Sequence, residues 1–299
     1  MNMLYQQINL QYSYIKQFSF SIVIGQEFSQ QDCNYLALSL QSFKFLENLY
    51  INIPQNCNIG ILGVIELSQG FQFCQKLKYL KIDIGFQTQI GQDEICYLGE
   101  GIRSIQNLEQ LNLQIGQNQI KGGFKIFGEQ IGNCKSLARL FLMIDNNQLQ
   151  SEGTQGISSI LKGCTNLKIV SIKLFSNEIK KEGALAISQG LSYCHNLEKL
   201  TLMIGEDNMI EQKGLEYLGE GLQQCNKLQI LKLFIMPYNM LGYKGYMNFS
   251  NSLQKCQQLR VFEFKYQNIT ESEAKDFMFS LFKVKKLAKI NINQDDRFY

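Results

Sequence analysis

Apolar positions along this chain follow two different periods, and the two alternate about every thirty residues. One stretch shows the pattern: Cys164, Leu167, Val170, Ile172, Leu174, Asn177, Ile179, Gly183, Ile187, Leu191, Cys194. Val170, Ile172 and Leu174 are separated by single residues, the period of a strand with one buried face. Ile187 and Leu191 lie four apart and Cys194 three further on, which puts all three on one helical stripe. The unit therefore predicts a strand followed by a helix.

The unit recurs over nearly the whole chain. Cys134, Cys164, Cys194, Cys225 and Cys256 stand at intervals of 30, 30, 31 and 31 residues, each with a leucine three positions later. The leucine position extends to Ile15, Leu46, Leu77, Leu108, Leu137, Leu167, Leu197, Leu228, Leu259 and Leu287, at intervals of 28 to 31. Regular self-similarity of this length predicts a solenoid, whose core is a continuous strip shared between neighbouring units. We expect one domain over residues 1–299, with 1–14 a cap or partial repeat, 15–292 the repeats and 293–299 a tail. Gly63, Gly123, Gly153, Gly183, Gly214 and Gly245 each stand four residues before the first helical apolar position. A glycine there suits a positive φ or a close backbone approach at the turn into the helix. Five residues later comes a small residue, as at Ser68, Gly128, Ser158, Ser188, Gly219 and Ser250. Small side chains on a helix let a neighbour come near.

The pattern C-x-x-L-x-x-L-x-L-x-I-x-x-N-x-I-x-x-x-G-x-x-x-L-x-x-x-L resembles the leucine-rich repeat, and within it the ribonuclease-inhibitor-like subtype. That resemblance implies an α/β horseshoe solenoid, with an inner parallel sheet, outer helices and about nine to ten repeats of 28 to 31 residues. One feature departs from the family: Asn118, Asn147, Asn177, Asn208 and Asn239 follow an extra apolar position, at Ile115, Ile144, Leu174, Ile204 and Ile235. The strand is expected to run about two residues longer for it, and the asparagine's usual bonds to loop backbone come into question.

Composition narrows the function classes. A net charge of +3 is too mild to argue for nucleic acid. No stretch approaches the roughly 18 apolar residues of a membrane span, and Met1 to Tyr12 lack the charged start and apolar core of a signal peptide. The nine cysteines include no pair at zinc-ligand spacing. An odd count and equivalent sites on successive turns disfavour disulfides, so the ladder reads as buried, reduced thiols acting as small hydrophobes at helix ends. Cys33, Cys57 and Cys96 lie off the ladder. His195 is the single histidine, beside Cys194, and adjacent residues do not face each other as a nucleophile and its base must. Leu98 to Ile102 and Leu218 to Leu222 carry a Gly-Glu-Gly triplet but no third glycine, and fall in mid-helix. We expect no catalytic residues, no cofactor and no metal.

The inner sheet face remains. Residues between the buried strand positions point into the horseshoe. On the first four strands they are mostly polar, among them Asn48, Tyr50, Asn52, Gln110, Asn112 and Gln114. From the fifth to the eighth strand they are Arg139, Phe141 and Met143; Ile169, Ser171, Lys173 and Phe175; Lys199, Thr201 and Met203; Ile230, Lys232, Phe234 and Met236. Apolar groups interleaved with Arg and Lys mark an interaction surface. The expected function is a non-catalytic scaffold or adaptor in the cytoplasm that binds a protein segment with apolar anchors and acidic character, as part of a large cytoplasmic or cytoskeletal assembly. Nucleic acid and membrane are not expected partners. Two alternatives stay open: the sensor region of a longer protein such as a protein kinase, and a GTPase-activating or ribonuclease-inhibitor-like regulator. The last strand has only a short tail after it, and Leu4, Ile8 and Leu10 suit a partial N-terminal helix. A weakly capped C-terminal end is expected to meet another chain or a continuation of its own.

Overall fold

The computed structural model describes residues 16–21, 29–236, 238–266 and 269–294. Its strands are β1 (Gln17–Ser21), β2 (Asn48–Ile53), β3 (Tyr79–Ile84), β4 (Gln110–Ile115), β5 (Arg139–Met143), β6 (Ile169–Leu174), β7 (Lys199–Ile204), β8 (Ile230–Ile235), β9 (Val261–Tyr266) and β10 (Lys289–Gln294). Between them run α1 (Gln30–Ser42), α2 (Gly60–Phe71), α3 (Gln92–Arg103), α4 (Gly123–Ile131), α5 (Gln150–Gly163), α6 (Lys180–Leu191), α7 (Glu211–Leu222), α8 (Gly242–Leu253) and α9 (Glu271–Leu281). The ten strands form one sheet in sequence order, and every pairing is parallel. This is an α/β leucine-rich-repeat solenoid.

The two sequence periods build its core. On β4, Leu111, Leu113 and Ile115 are fully buried, while Gln110, Asn112 and Gln114 between them are half-buried. Phe127 and Ile131 of α4 join that buried strip, as Ile187 and Leu191 of α6 do two turns further along. Strands stack about 4.8 Å apart, whereas helices ordinarily need about 8–10 Å. The stack therefore bends with the sheet on its inner side.

Small residues relieve part of that mismatch. A Cβ at Gly128 would collide with the Gly156 backbone, one at Gly156 with the Phe124 carbonyl, and one at Gly163 with Gly132. Gly123, Gly153 and Gly183, each preceding a helical stripe, work the same way. A Cβ would lie 2.7 Å from the Lys121 carbonyl at Gly153 and 2.8 Å from Thr154 Oγ1 at Gly183. Close approach accounts for these glycines, because positive φ among the described glycines falls only on Gly60 and Gly242.

Left-handed backbone sits instead on non-glycine residues around the asparagine. Gln117, Gln119 and Lys121 have φ of 52°, 58° and 45°, and Ser176, Glu178 and Lys180 have 47°, 53° and 57°. Such residues cost on the order of 1–2 kcal/mol each. Bonds to the next repeat offset this: Gln117 N donates to the Asp145 carbonyl at 3.0 Å and Lys121 N to that of Asn147 at 3.0 Å. The asparagines complete the loop. Asn177 Oδ1 accepts from Asn147 N at 3.0 Å, and its Nδ2 donates to the Ile144 and Phe175 carbonyls at 2.9 Å each. The extra apolar position therefore lengthens the strand without breaking the asparagine's bonds. β6, β7 and β8 end on Leu174, Ile204 and Ile235, and the asparagine ladder runs from Asn118 to Asn239.

Terminal helices are capped locally. Glu273 Oε2 accepts from Thr270 N at 2.7 Å and Asp32 Oδ2 from Ser29 N at 2.9 Å, whereas the Leu149 amide before α5 donates to Asn177 of the following repeat. At the far end β10 runs to Gln294, taking in two residues expected in the tail, and Leu287, Ile290 and Ile292 are only partly buried. The partial helix expected around Leu4, Ile8 and Leu10 lies outside the described residues, as do 295–299.

Candidate partner-binding face

Strand register sorts the inner residues into rows that run along the array. The first row is Arg139, Ile169, Lys199, Ile230; the second Phe141, Ser171, Thr201, Lys232; the third Met143, Lys173, Met203, Phe234. Phe175 and Met236 follow the last residues of β6 and β8. Every one alternates with a fully buried neighbour. Arg139 and Met143 are exposed and the other ten singled out from sequence are half-buried, so each anchor has one flank packed and one open.

Packing explains the half-burial of Phe175. Its ring lies over Gly205, where a Cβ would overlap it, and Lys173 Nζ stands 4.4 Å from its centroid. Asp145 holds the same corner: one carboxylate oxygen accepts from Phe175 N at 2.8 Å, and the other pairs with Lys173 Nζ at 2.9 Å. Lys232 pairs with Glu263 at 2.8 Å, and Lys265 Nζ approaches the Phe234 ring at 6.0 Å. Two of the basic groups expected to meet an acidic partner are thus already matched within the face. Among the described residues Arg139 and Lys199 make no ion pair, and the face across β5 to β9 carries Arg139, Lys173, Lys199, Lys232 and Lys265 against Asp145 and Glu263.

The inner face of β2 to β4 differs. Lys81 Nζ sits 4.5 Å above the Tyr50 ring, and burial pushes the Asp83 carboxyl above its ordinary range, with Lys81 opposing. Asn112 and Gln110 hydrogen-bond to each other at 3.1 Å. A partner would find hydrogen-bonding groups there but few apolar anchors.

Cysteine chemistry is closed off along the ladder. Burial pushes the thiols of Cys164, Cys194 and Cys256 up to about 12 and that of Cys134 to about 11. Each later ladder thiol donates back one repeat: Cys164 Sγ to the Ile131 carbonyl at 3.2 Å, Cys225 Sγ to that of Leu191 at 3.3 Å. Of the off-ladder thiols, Cys33 is fully buried, Cys96 is half-exposed, and Cys57 occupies the position that later repeats give to asparagine. Cys194 points inward while the exposed His195 ring lies 3.3 Å from the Gln224 carbonyl, so the two do not form a nucleophile and base. Among the described residues there is no group of three or more His, Cys, Asp or Glu placed to hold a metal ion, and no helix is long and apolar enough to cross a membrane.

Sequence reasoning stopped at Phe175 and Met236, one residue past the strand ends, and missed what lies beyond them. On the loop rim above β7 and β8, Met209 is 40% exposed, Tyr238 59% and Met240 67%. The signal was present as a break in the repeat, because the position after the asparagine is Gln119, Gln148 and Glu178 in the preceding units.

No family model matches this chain, and no curated protein matches it. Among solved structures it is similar to the leucine-rich repeat-containing protein LegL7 from Legionella pneumophila, with 13% identity and a TM-score of 0.37, covering 94% of this chain and 91% of that one. The fold assignment rests on the repeat geometry itself.

Proposed function

We propose that this protein is a non-catalytic interaction scaffold that holds a segment of a partner protein against the inner face of β5 to β8. The observation that carries this reading is the change of character along the sheet. Four consecutive rungs present Phe141, Met143, Phe175, Met203 and Phe234 between cations, where β2 to β4 present mainly amides. Aromatic, Met and Arg side chains with one packed flank are the groups that dominate binding energy at interface centres. Arg139 and Lys199, which no carboxylate among the described residues pairs with, favour a partner segment with acidic residues between its apolar anchors. A reducing compartment such as the cytoplasm is supported by nine free cysteines, eight of them buried. A place in a cytoplasmic or cytoskeletal assembly accords with a binding face spread over several rungs. The ribonuclease-inhibitor-like subtype is supported by a full helix in each unit of about thirty residues.

Phe141→Ser combined with Met203→Ser tests the reading. Both side chains are half-buried on the open face, so thermal unfolding should fall by only a few degrees, while capture of a partner from native lysate, read by mass spectrometry, is lost. Unchanged capture would overturn the assignment of this face.

A further inference from the structure

The apolar strip does not stop at the sheet. In each of the fourth to eighth repeats, the residue after the ladder asparagine has the same left-handed backbone, with φ of 58°, 53°, 53°, 44° and 52° at Gln119, Gln148, Glu178, Met209 and Met240. Equivalent backbone means equivalent placement on the rim, so the earlier repeats act as an internal control. Three of them put a polar group into water, and the last two put methionine there. The residue before the asparagine repeats the contrast, as Gln117, Asn146, Ser176 and Asp207 give way to Tyr238. The switch falls on the two repeats whose inner face carries Met203, Phe234 and Met236. Exposed apolar groups gathered at one place are the unusual feature of a surface.

We propose that this rim and the adjoining rungs form one continuous docking lip for an acidic amphipathic α-helix of a partner protein. This rests on the reading of the inner face as a docking surface. Spacing supports a helix: rungs repeat about every 4.8 Å and helical turns about every 5.4 Å, so a helix laid across the strands offers one anchor per rung. An extended segment repeats the same side only every ~6.8 Å and falls out of step by the second rung. Methionine side chains adapt to the anchors of such a helix. Charge sets its orientation. Lys265, paired in register with Phe234, lies on the sheet side of the lip, while Glu206 and Asp207 stand on the rim. The acidic flank of the helix therefore faces the sheet, with its apolar stripe on the methionines.

The test uses a fluorescent helical peptide with leucines at i, i+3, i+4 and i+7 and a glutamate flank, a lysine-flanked twin and a proline-interrupted twin. Anisotropy titrations compare the intact protein, M209Q/M240Q and F141S. The glutamine variants restore the residue type that earlier repeats hold on the same backbone, so the fold is expected to keep its melting temperature. The expected result is binding of the glutamate-flanked helix, weakened about tenfold or more in M209Q/M240Q, with both twins weaker still. Binding that survives M209Q/M240Q but is lost in F141S would overturn the lip and leave the inner-face reading standing. Equal or better binding of either twin, or no binding of any peptide, would overturn the helix. Self-association of the intact protein that M209Q/M240Q abolishes would overturn the partner, showing that a second copy covers the lip.

Discussion

At the scale of single residues, the ladder cysteines are structural groups whose contribution depends on pH. Burial holds the thiols of Cys164 and Cys194 near 12 in the fold, against 9.0 for the free group. Between those values the unfolded chain has released the proton and the folded chain has kept it. The unfolded state then binds fewer protons, so stability falls as pH rises above 9, while below 9 the contribution is fully present. The loss amounts to about 1.4 kcal/mol per thiol for each pH unit above 9. Urea denaturation between pH 7 and 10.5 should show a midpoint that drops steeply above 9. The double variant Cys164→Ala, Cys194→Ala should begin less stable at pH 7 and decline more gently; an unchanged alkaline slope would remove the thiols from this role. Spacing alone identified these cysteines as buried. What spacing could not show was the bond to the preceding repeat, because it depends on how far each helix end reaches across the stack. The asparagines are a parallel case. Their recurrence was plain in the sequence, but Gln, Lys and Glu in left-handed backbone around them ran against propensity and became legible only with the inter-repeat bonds in view.

At the scale of elements, helix packing is where sequence reasoning gave the right residues for an incomplete reason. Gly153 and Gly183 suggested either a positive φ or a close approach, and only the second holds. The tightest contacts lie between α4 and α5, where a Cβ at Gly128 would meet the Gly156 backbone and one at Gly156 the Phe124 carbonyl. Gly156→Ala should therefore force the two helices apart and cost about 3 kcal/mol, toward the upper end of overpacking effects. Gly91→Ala is the control, since a Cβ there meets only Glu94 Oε2, at 3.2 Å. Chemical denaturation of both variants checks this, and equal destabilisation would mean that backbone entropy, not contact, sets the cost. Strand faces were more legible than helix contacts. A strand's alternation assigns each side chain to one of two faces, whereas a helix stripe names the buried side without naming the backbone it touches. The rim at Met209 and Met240 was illegible for another reason: its meaning lies in a departure from the other repeats at a position whose geometry the sequence does not reveal.

At the scale of the whole molecule, stability is distributed along one dimension. Each repeat touches only its neighbours, so an interior unit has two supporting interfaces and an end unit one. The far end shows the consequence. Ile290 and Ile292 of β10 are half-covered where Phe262 and Phe264 of β9 are sealed, and Phe279 of α9 and Phe282 just after it are 66% and 64% exposed. In the middle, Leu140, Val170 and Leu200 are sealed, and the adjoining helices are drawn close by glycine. Amide hydrogen exchange should follow that gradient. Protection should be greatest on β5 to β8, where opening a strand breaks ladders on both sides, and should fall by orders of magnitude through α9 and β10, where fraying leaves the remaining units intact. The proposed binding surface thus occupies interior strands, each paired on both sides. Its anchors are held in place before a partner arrives, and little ordering cost is left for binding. Exchange measured residue by residue would show this as slow amides at Leu140, Val170, Leu200 and Leu231. Uniform protection from β2 to β10 would instead mean that the array opens as one unit, and the inner face would then owe its rigidity to the whole solenoid and not to its position within it.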